Sequence, residues 1–433
     1  MHLFSHFNTA GISVSKLLKN HIKIFYSNSA ISGRARKTAT NNMEALTKFI
    51  DESTTPGTST YVAPTIVGTV IAPGGKILWQ HASGVGHKEG ESVTADSVFW
   101  LASQSKLMCT VASLITVERG LIGLDDDVAE ILPDLAALEV LDGGEDADGI
   151  PTTKPRQNKI TLRLLLSHQS GVGYDAMPFS IFTWAQKTGL AFTTLDSTQK
   201  SMKICPLAFE PGTSWLYGAG IDWAGELVAR LSKTTLEEFY KTNIWNPLGM
   251  IKSTYHPTKF RDSIVLPYLR NEVGELKLEP LPVPIEAPTE TADHGVWSTP
   301  NDYVKLLGAL LDGGGPILSQ KSVDEIFTPQ CLNPGALMEM VQGPYKPALG
   351  PSIPVDQKID HGLAGLINHT DFPGRRPPGV LQWSGMPNLI WWVDRKTGIA
   401  ATTFLQLMPV GDTIAGEFNV RFEEAVYQIF GPK

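Results

Sequence analysis

Val98-Phe99-Trp100-Leu101-Ala102-Ser103-Gln104-Ser105-Lys106-Leu107-Met108-Cys109-Thr110-Val111-Ala112-Ser113-Leu114-Ile115 sets a serine and a lysine three residues apart, between an apolar run and a helical stretch that is apolar on nearly all sides. Residues three apart on a helix share a face, and a helix apolar all round is a buried one. A serine hydroxyl is a poor nucleophile until a neighbour takes its proton, so Lys106 within reach of Ser103 is a candidate activator. Burial is expected to lower the Lys106 pKa, which would make it a proton acceptor or an electrostatic aid to another base. The helix N-terminus adds positive potential beside developing negative charge. An N-cap serine followed by a snorkelling lysine explains the same pattern equally well. Ser-x-x-Lys also occurs from Ser13 to Lys16, in a basic leader, and from Ser197 to Lys200, in a polar stretch with no strong apolar helix after it.

Outward from this segment, the helix runs from about Ser103 to Arg119 and ends at Gly120. Upstream, Met43 to Ile50 reads as a short helix, and the strand-like runs Thr65 to Ile71 and Lys76 to Gly86 join through Ala72-Pro73-Gly74-Gly75 as a β-hairpin. From about 120 to 290 helical pieces such as Ala224 to Leu231 and Leu236 to Asn243 alternate with Pro- and Gly-rich loops. From about 375 strand-like text returns, with Gly379 to Gln382, Leu389 to Val393 and Gly398 to Leu407, before a closing helix from about Glu417 to Phe430. Strands at both ends with helices between predict an α/β fold with a single sheet built from the two termini and a helical region inserted.

The 433 residues are 42% hydrophobic and 18% charged, enough for a large core, and no run of eighteen uncharged apolar residues appears. A soluble globular protein is expected. The net charge of -8 argues against nucleic acid, which needs basic residues gathered on one face, so small molecules are the expected partners. Cys109, Cys205 and Cys331 indicate neither a disulfide framework nor a zinc ligand set, and a reducing, cytoplasmic setting fits them. From Met1 to Asn42 there is no acidic residue but there are several basic ones, a bias shared by mitochondrial transit peptides, by unstructured leaders and by a start placed ahead of a true one at Met43. The expected organisation is a basic leader over 1–43 and a catalytic domain over 44–433, with 44–119 and 290–433 forming the α/β part and 120–289 the insertion.

The Gly-x-Ser-x-Gly elbow, His-Glu-x-x-His and a Walker-type phosphate loop are absent. The histidines show no metal-ligand spacing, so no metal and no cofactor is implied; His81, His87, His361 and His369 read as structural or surface residues. In Pro211-Gly212-Thr213-Ser214-Trp215-Leu216-Tyr217-Gly218-Ala219-Gly220, Tyr217 is a candidate base, because a neighbouring lysine cation favours phenolate; an aromatic plug is the plainer reading of the same loop. In Leu381-Gln382-Trp383-Ser384-Gly385-Met386-Pro387-Asn388 a small-residue strand edge would let substrate approach the backbone, where a main-chain N–H can hold an oxyanion.

The order Ser103-Gln104-Ser105-Lys106, Tyr217, Trp383-Ser384-Gly385 resembles the serine β-lactamase and penicillin-binding protein superfamily, most like class C β-lactamases and family VIII carboxylesterases. Trp100-Leu101-Ala102-Ser103, Val117-Glu118-Arg119-Gly120-Leu121, Leu132-Pro133-Asp134-Leu135, the stretch Thr161 to Gly171, the Tyr217 segment through Gly225, and Pro387-Asn388 are similar to fungal polyketide acyltransferases of the lovastatin side-chain type. The resemblance implies a β-lactamase-like fold, an antiparallel sheet flanked by helices with an inserted mainly helical region. It implies Ser103 as the acylated nucleophile, Lys106 and Tyr217 as the proton-transfer pair, and the N–H groups of Ser103 and Met386 as the oxyanion hole. Trp383, Ser384 and Gly385 would line the substrate site; Tyr174 would line the pocket or serve packing; His168, Asp134 and Arg163 fall to architecture.

Two departures bear on activity. The asparagine that class C β-lactamases carry two residues after the tyrosine is Ala219, and their Lys-Thr-Gly strand motif is Trp383-Ser384-Gly385. Loss of that lysine removes a partner for a β-lactam carboxylate. The Lys-Thr-Gly copies at 187–189 and 396–398 read as decoys. The implied function is a serine acyltransferase of secondary metabolism, working on an ester or thioester donor through an acyl-enzyme. A carboxylesterase is the alternative, with β-lactam hydrolysis or a catalytically silent binding protein behind it. Its partners are a small-molecule acyl donor and acceptor, and the resemblance leaves room for an acyl-carrier domain or coenzyme A thioester as donor.

Overall fold

A computed structural model describes residues 33–88, 90–199 and 201–432. The Ser13 to Lys16 motif, most of the basic leader and Lys200 lie outside the described residues. The Pro-Gly-Gly turn does what its residues dictate: β1 (Thr65–Ala72) and β2 (Lys76–Gly84) pair antiparallel across it. Five further strands complete one sheet: β3 (Ile359–His361), β4 (Leu366–Asn368), β5 (Leu381–Gly385), β6 (Leu389–Asp394) and β7 (Ile399–Phe404). Their order is β2-β1-β7-β6-β5-β4-β3, and every neighbouring pair is antiparallel. The sheet is therefore made from the two ends of the chain, as the sequence predicts, with Val67 opposite Phe404 where they meet.

Strand side chains alternate between faces, and here both faces are dry. Leu389, Trp391 and Val393 of β6 enter the larger core, while Ile390 and Trp392 enter a second core on the other side. The second core is closed by α1 (Gly33–Thr54), through Leu46 and Ile50, and by the C-terminal helix, through Phe418 and Phe422. The larger core holds α2 (Ser105–Glu118), whose residues from Ser105 to Thr116 are all buried, together with α3 (Gly220–Ser232) and α4 (Pro300–Leu311). The closing helix, α5 (Thr413–Phe430), begins four residues earlier than expected, at the Asp412 cap that accepts from the Ala415 N–H.

Three expectations need correction. The helix expected over Met43 to Ile50 is the inner part of the longer α1. The sheet region begins at Ile359, since β3 and β4 are only three residues each and too short to show a period. The mainly helical middle also carries a hairpin of Val140–Glu145 with Pro151–Lys154. Among the described residues no helix is long and apolar enough to cross a membrane.

Candidate active site

Ser103 lies in the single 3-10 turn Ala102–Gln104 that feeds α2. Ala102 takes a positive φ of 46°, a conformation costly for a residue with a Cβ, and the tight turn leaves Ser103 half-buried at the surface of the core. One turn on, the side chain of Lys106 is only 3% exposed. Tyr217 arrives from the loop ahead of α3. Gly218 is what allows this approach: a Cβ there would sit 2.2 Å from the Val172 carbonyl oxygen. His168 braces the same loop, with its ring 4.9 Å from that of Tyr217, its main-chain oxygen accepting from Leu216 N–H and its Nδ1 accepting from Gly218 N–H.

The fold thus brings the three predicted side chains together. Ser103 Oγ and Tyr217 Oη share a hydrogen bond of 2.6 Å, and Lys106 Nζ donates to Ser103 Oγ at 3.2 Å. Lys106 also donates to Tyr174 Oη at 3.2 Å and to the main-chain oxygen of Asp293 at 3.0 Å, so each of its three N–H bonds has an acceptor. Its nitrogen stands 4.9 Å from the centre of the Tyr217 ring. Trp383 packs against Tyr217, ring centres 5.3 Å apart and tilted by 46°, and is buried; Ser384 is half-buried. Gly385 abuts the nucleophile turn so closely that a Cβ would lie 2.4 Å from Leu101 O, and Met386 packs against the cluster that includes Trp100 and Ala102.

The expected lowering of the Lys106 pKa is wrong in sign. Burial does pull it down and is the largest influence, but the charges of Tyr217 and Asp293 outweigh it, and Lys106 is held as an ammonium. Sequence reading missed Asp293. Its carboxylate lies 3.7 Å from Lys106 Nζ, accepts from Tyr174 Oη at 2.7 Å, and binds His294 Nδ1. Despite burial, the neighbouring His294 and Lys106 hold its carboxyl well below the usual range, and Asp293 in turn raises the His294 pKa above that of an ordinary histidine. Asp222 accepts the Asp293 main-chain N–H at 3.0 Å; burial and the Asp293 charge push its pKa up to about 8. Tyr174, placed beforehand in a pocket wall or in packing, is a link in this network, and burial with the Asp293 charge keeps its phenol protonated. Ligand atoms of Asp222, Asp293 and His294 lie within 4.8 Å of one another, but the cation facing them is Lys106. A cavity behind Tyr174 is lined by Asp175, Thr193, Thr194, Asp222, Thr291 and His294.

A half-buried hydroxyl in contact with a tyrosine oxygen and an ammonium is placed to be acylated. The β-lactamase family model matches residues 46–421. The chain belongs to the β-lactamase family. Within it the chain is 34% identical over 347 residues to monacolin J acid methylbutanoyltransferase of Aspergillus terreus, covering 76% of this chain and 81% of that one. It is 33% identical over 344 residues to lovastatin esterase of Penicillium rubens, covering 77% and 86%. A mutant of simvastatin synthase from Aspergillus terreus has the same fold, with a TM-score of 0.81 at 29% identity over 93% of this chain and 99% of that one. This β-lactamase-family protein is an enzyme of the acyltransferase and esterase kind.

Proposed function

We propose that Ser103 is the acylated nucleophile of a ping-pong acyltransferase, with 44–433 as its catalytic domain. The observation that carries this reading is the three-way contact of Ser103, Tyr217 and Lys106. Tyr217, as the phenolate, takes the Ser103 proton as Oγ bonds to the carbonyl carbon of an ester or thioester. The oxyanion that forms is held by the main-chain N–H groups of Ser103 and Met386, beside the Lys106 ammonium. The carbon then loses its alkoxide or thiolate, which leaves with the proton from Tyr217. An acceptor alcohol reverses the sequence: its proton goes to Tyr217, its oxygen bonds to the acyl carbon, and Ser103 leaves and is reprotonated. Lys106 serves as a fixed charge and Tyr217 as the proton carrier. Ser384 and Gly385 form the strand edge that substrate meets, with Trp383 as the support beneath Tyr217.

The donor is an ester or thioester, free or on an acyl-carrier domain, and the acceptor is a hydroxylated small molecule of secondary metabolism, by likeness to the relative named for monacolin J acid. Similarity to lovastatin esterase favours hydrolysis as the second reading. Incubation with an activated acyl ester is expected to add one acyl mass to the intact protein, located on Ser103, and none to Ser103→Ala. An equal adduct on the variant refutes the assignment. Product analysis with and without a panel of alcohols then separates transfer from hydrolysis.

A further inference from the structure

We infer that Asp293, backed by His294, is the positioning residue for Lys106. This rests on the acyl-enzyme reading above and assigns the source of the lysine's charge and aim. An ammonium buried to this degree needs a counter-charge, because desolvation otherwise drives it neutral. The carboxylate of Asp293 is 2% exposed and is the acid that faces it, at 3.7 Å. Its two oxygens are held in place from opposite sides: Tyr174 Oη donates to Oδ2 at 2.7 Å, and His294 Nδ1 bonds to Oδ1. His294 is fixed in its turn by Ser197 Oγ, 3.0 Å from its Nε2. The serine of a Ser-x-x-Lys decoy thus becomes the outer anchor of the lysine that matters.

The groups facing Lys106 come from four elements besides α2. They are Tyr217 from its loop, Asp222 from α3, Tyr174 and His168 from the segment 168–174, and Asp293 and His294 from the loop before α4. His168 is held neutral by burial first, then by His361 and Lys106, and Asp222 keeps its proton up to about 8. Asp293 is the buried carboxylate in direct reach of Lys106, set between it and His294. Without the Asp293 carboxylate, burial would act on Lys106 with less to oppose it.

The test compares the wild-type protein with Asp293→Asn. Asparagine keeps the shape and the main-chain oxygen that Lys106 contacts, and removes the carboxylate charge together with one of the two side-chain acceptor oxygens. Burst release of p-nitrophenolate from p-nitrophenyl butyrate is followed from pH 6 to 10.5, with Ser103→Ala as the background and thermal unfolding as the check on folding. The wild-type Ser103 adduct is read first, and its absence refutes the acyl-enzyme reading itself. With the adduct present, Asp293→Asn is expected to acylate at least tenfold more slowly at high pH. Within this range acylation by Asp293→Asn should fall off toward high pH where that of the wild type does not, and Asp293→Glu should move the fall-off back up. Superimposable profiles, or a loss of rate with no such fall-off, overturn the assignment of Asp293. Should asparagine prevent cooperative unfolding, Asp293→Ser is read in the same way.

Discussion

Gly218→Ala probes the site without touching a reacting group. The new methyl would lie 2.2 Å from the Val172 carbonyl oxygen and 2.7 Å from Gly173 Cα, both main-chain atoms of a packed segment. Ordinary contact needs roughly 1 Å more than the first of these, so the Tyr217 loop must retreat by about that amount. The Ser103 to Tyr217 hydrogen bond, now 2.6 Å, would open to about 3.6 Å, outside bonding range. A misplacement of that size lowers the rate by about 100-fold, which corresponds to about 2.7 kcal/mol in the barrier. Overpacking should also cost about 1–3 kcal/mol of stability. The assay is the burst rate with an activated ester, alongside a urea titration. Acylation at the wild-type rate in a folded Gly218→Ala protein would show that the position of Tyr217 does not govern the chemistry.

Tyr217→Phe keeps the ring packed against Trp383 but removes the proposed proton carrier, and acylation should slow by about 100- to 10,000-fold with little change in melting temperature. Asp222 has a folded pKa raised to about 8, so it binds its proton more tightly folded than unfolded; stability is greatest at low pH and is lost as pH rises through about 8. Asp222→Asn retains the acceptor for Asp293 N–H, and its melting temperature should fall less than that of the wild type between pH 6 and 9; parallel curves would contradict this. Arg376 is fully buried and bonds Glu423 through Nε and Nη2 at 2.6 Å each, so Glu423→Ala leaves a buried cation unpaired and should cost about 3–5 kcal/mol in denaturant unfolding.

The Ser103 and Lys106 pair, the hairpin and the buried helix were legible because each is written in neighbouring residues: a serine and a lysine three apart, a Pro-Gly-Gly turn, an unbroken apolar run. Tyr217 and Gly385 became legible only through their order along the chain, since a tyrosine in a loop or a glycine in a strand is silent on its own. Asp293 was illegible. It sits in a loop without periodicity, and its contact with Lys106 spans 187 residues. That omission also explains the wrong sign for the Lys106 pKa, because burial can be inferred from local text whereas a distant carboxylate cannot. β3 and β4, three residues each, were too brief to show alternation.

The pairing of β1 with β7 has a bearing on biosynthesis. The amino-terminal hairpin finds its partner strand only when residues near 400 have been made, long after Ser103 has left the ribosome. Gly385, which closes on the nucleophile turn, is equally late. A growing chain therefore exposes Ser103 for most of translation without the wall beside it, and the site proposed above is assembled only when synthesis is nearly finished.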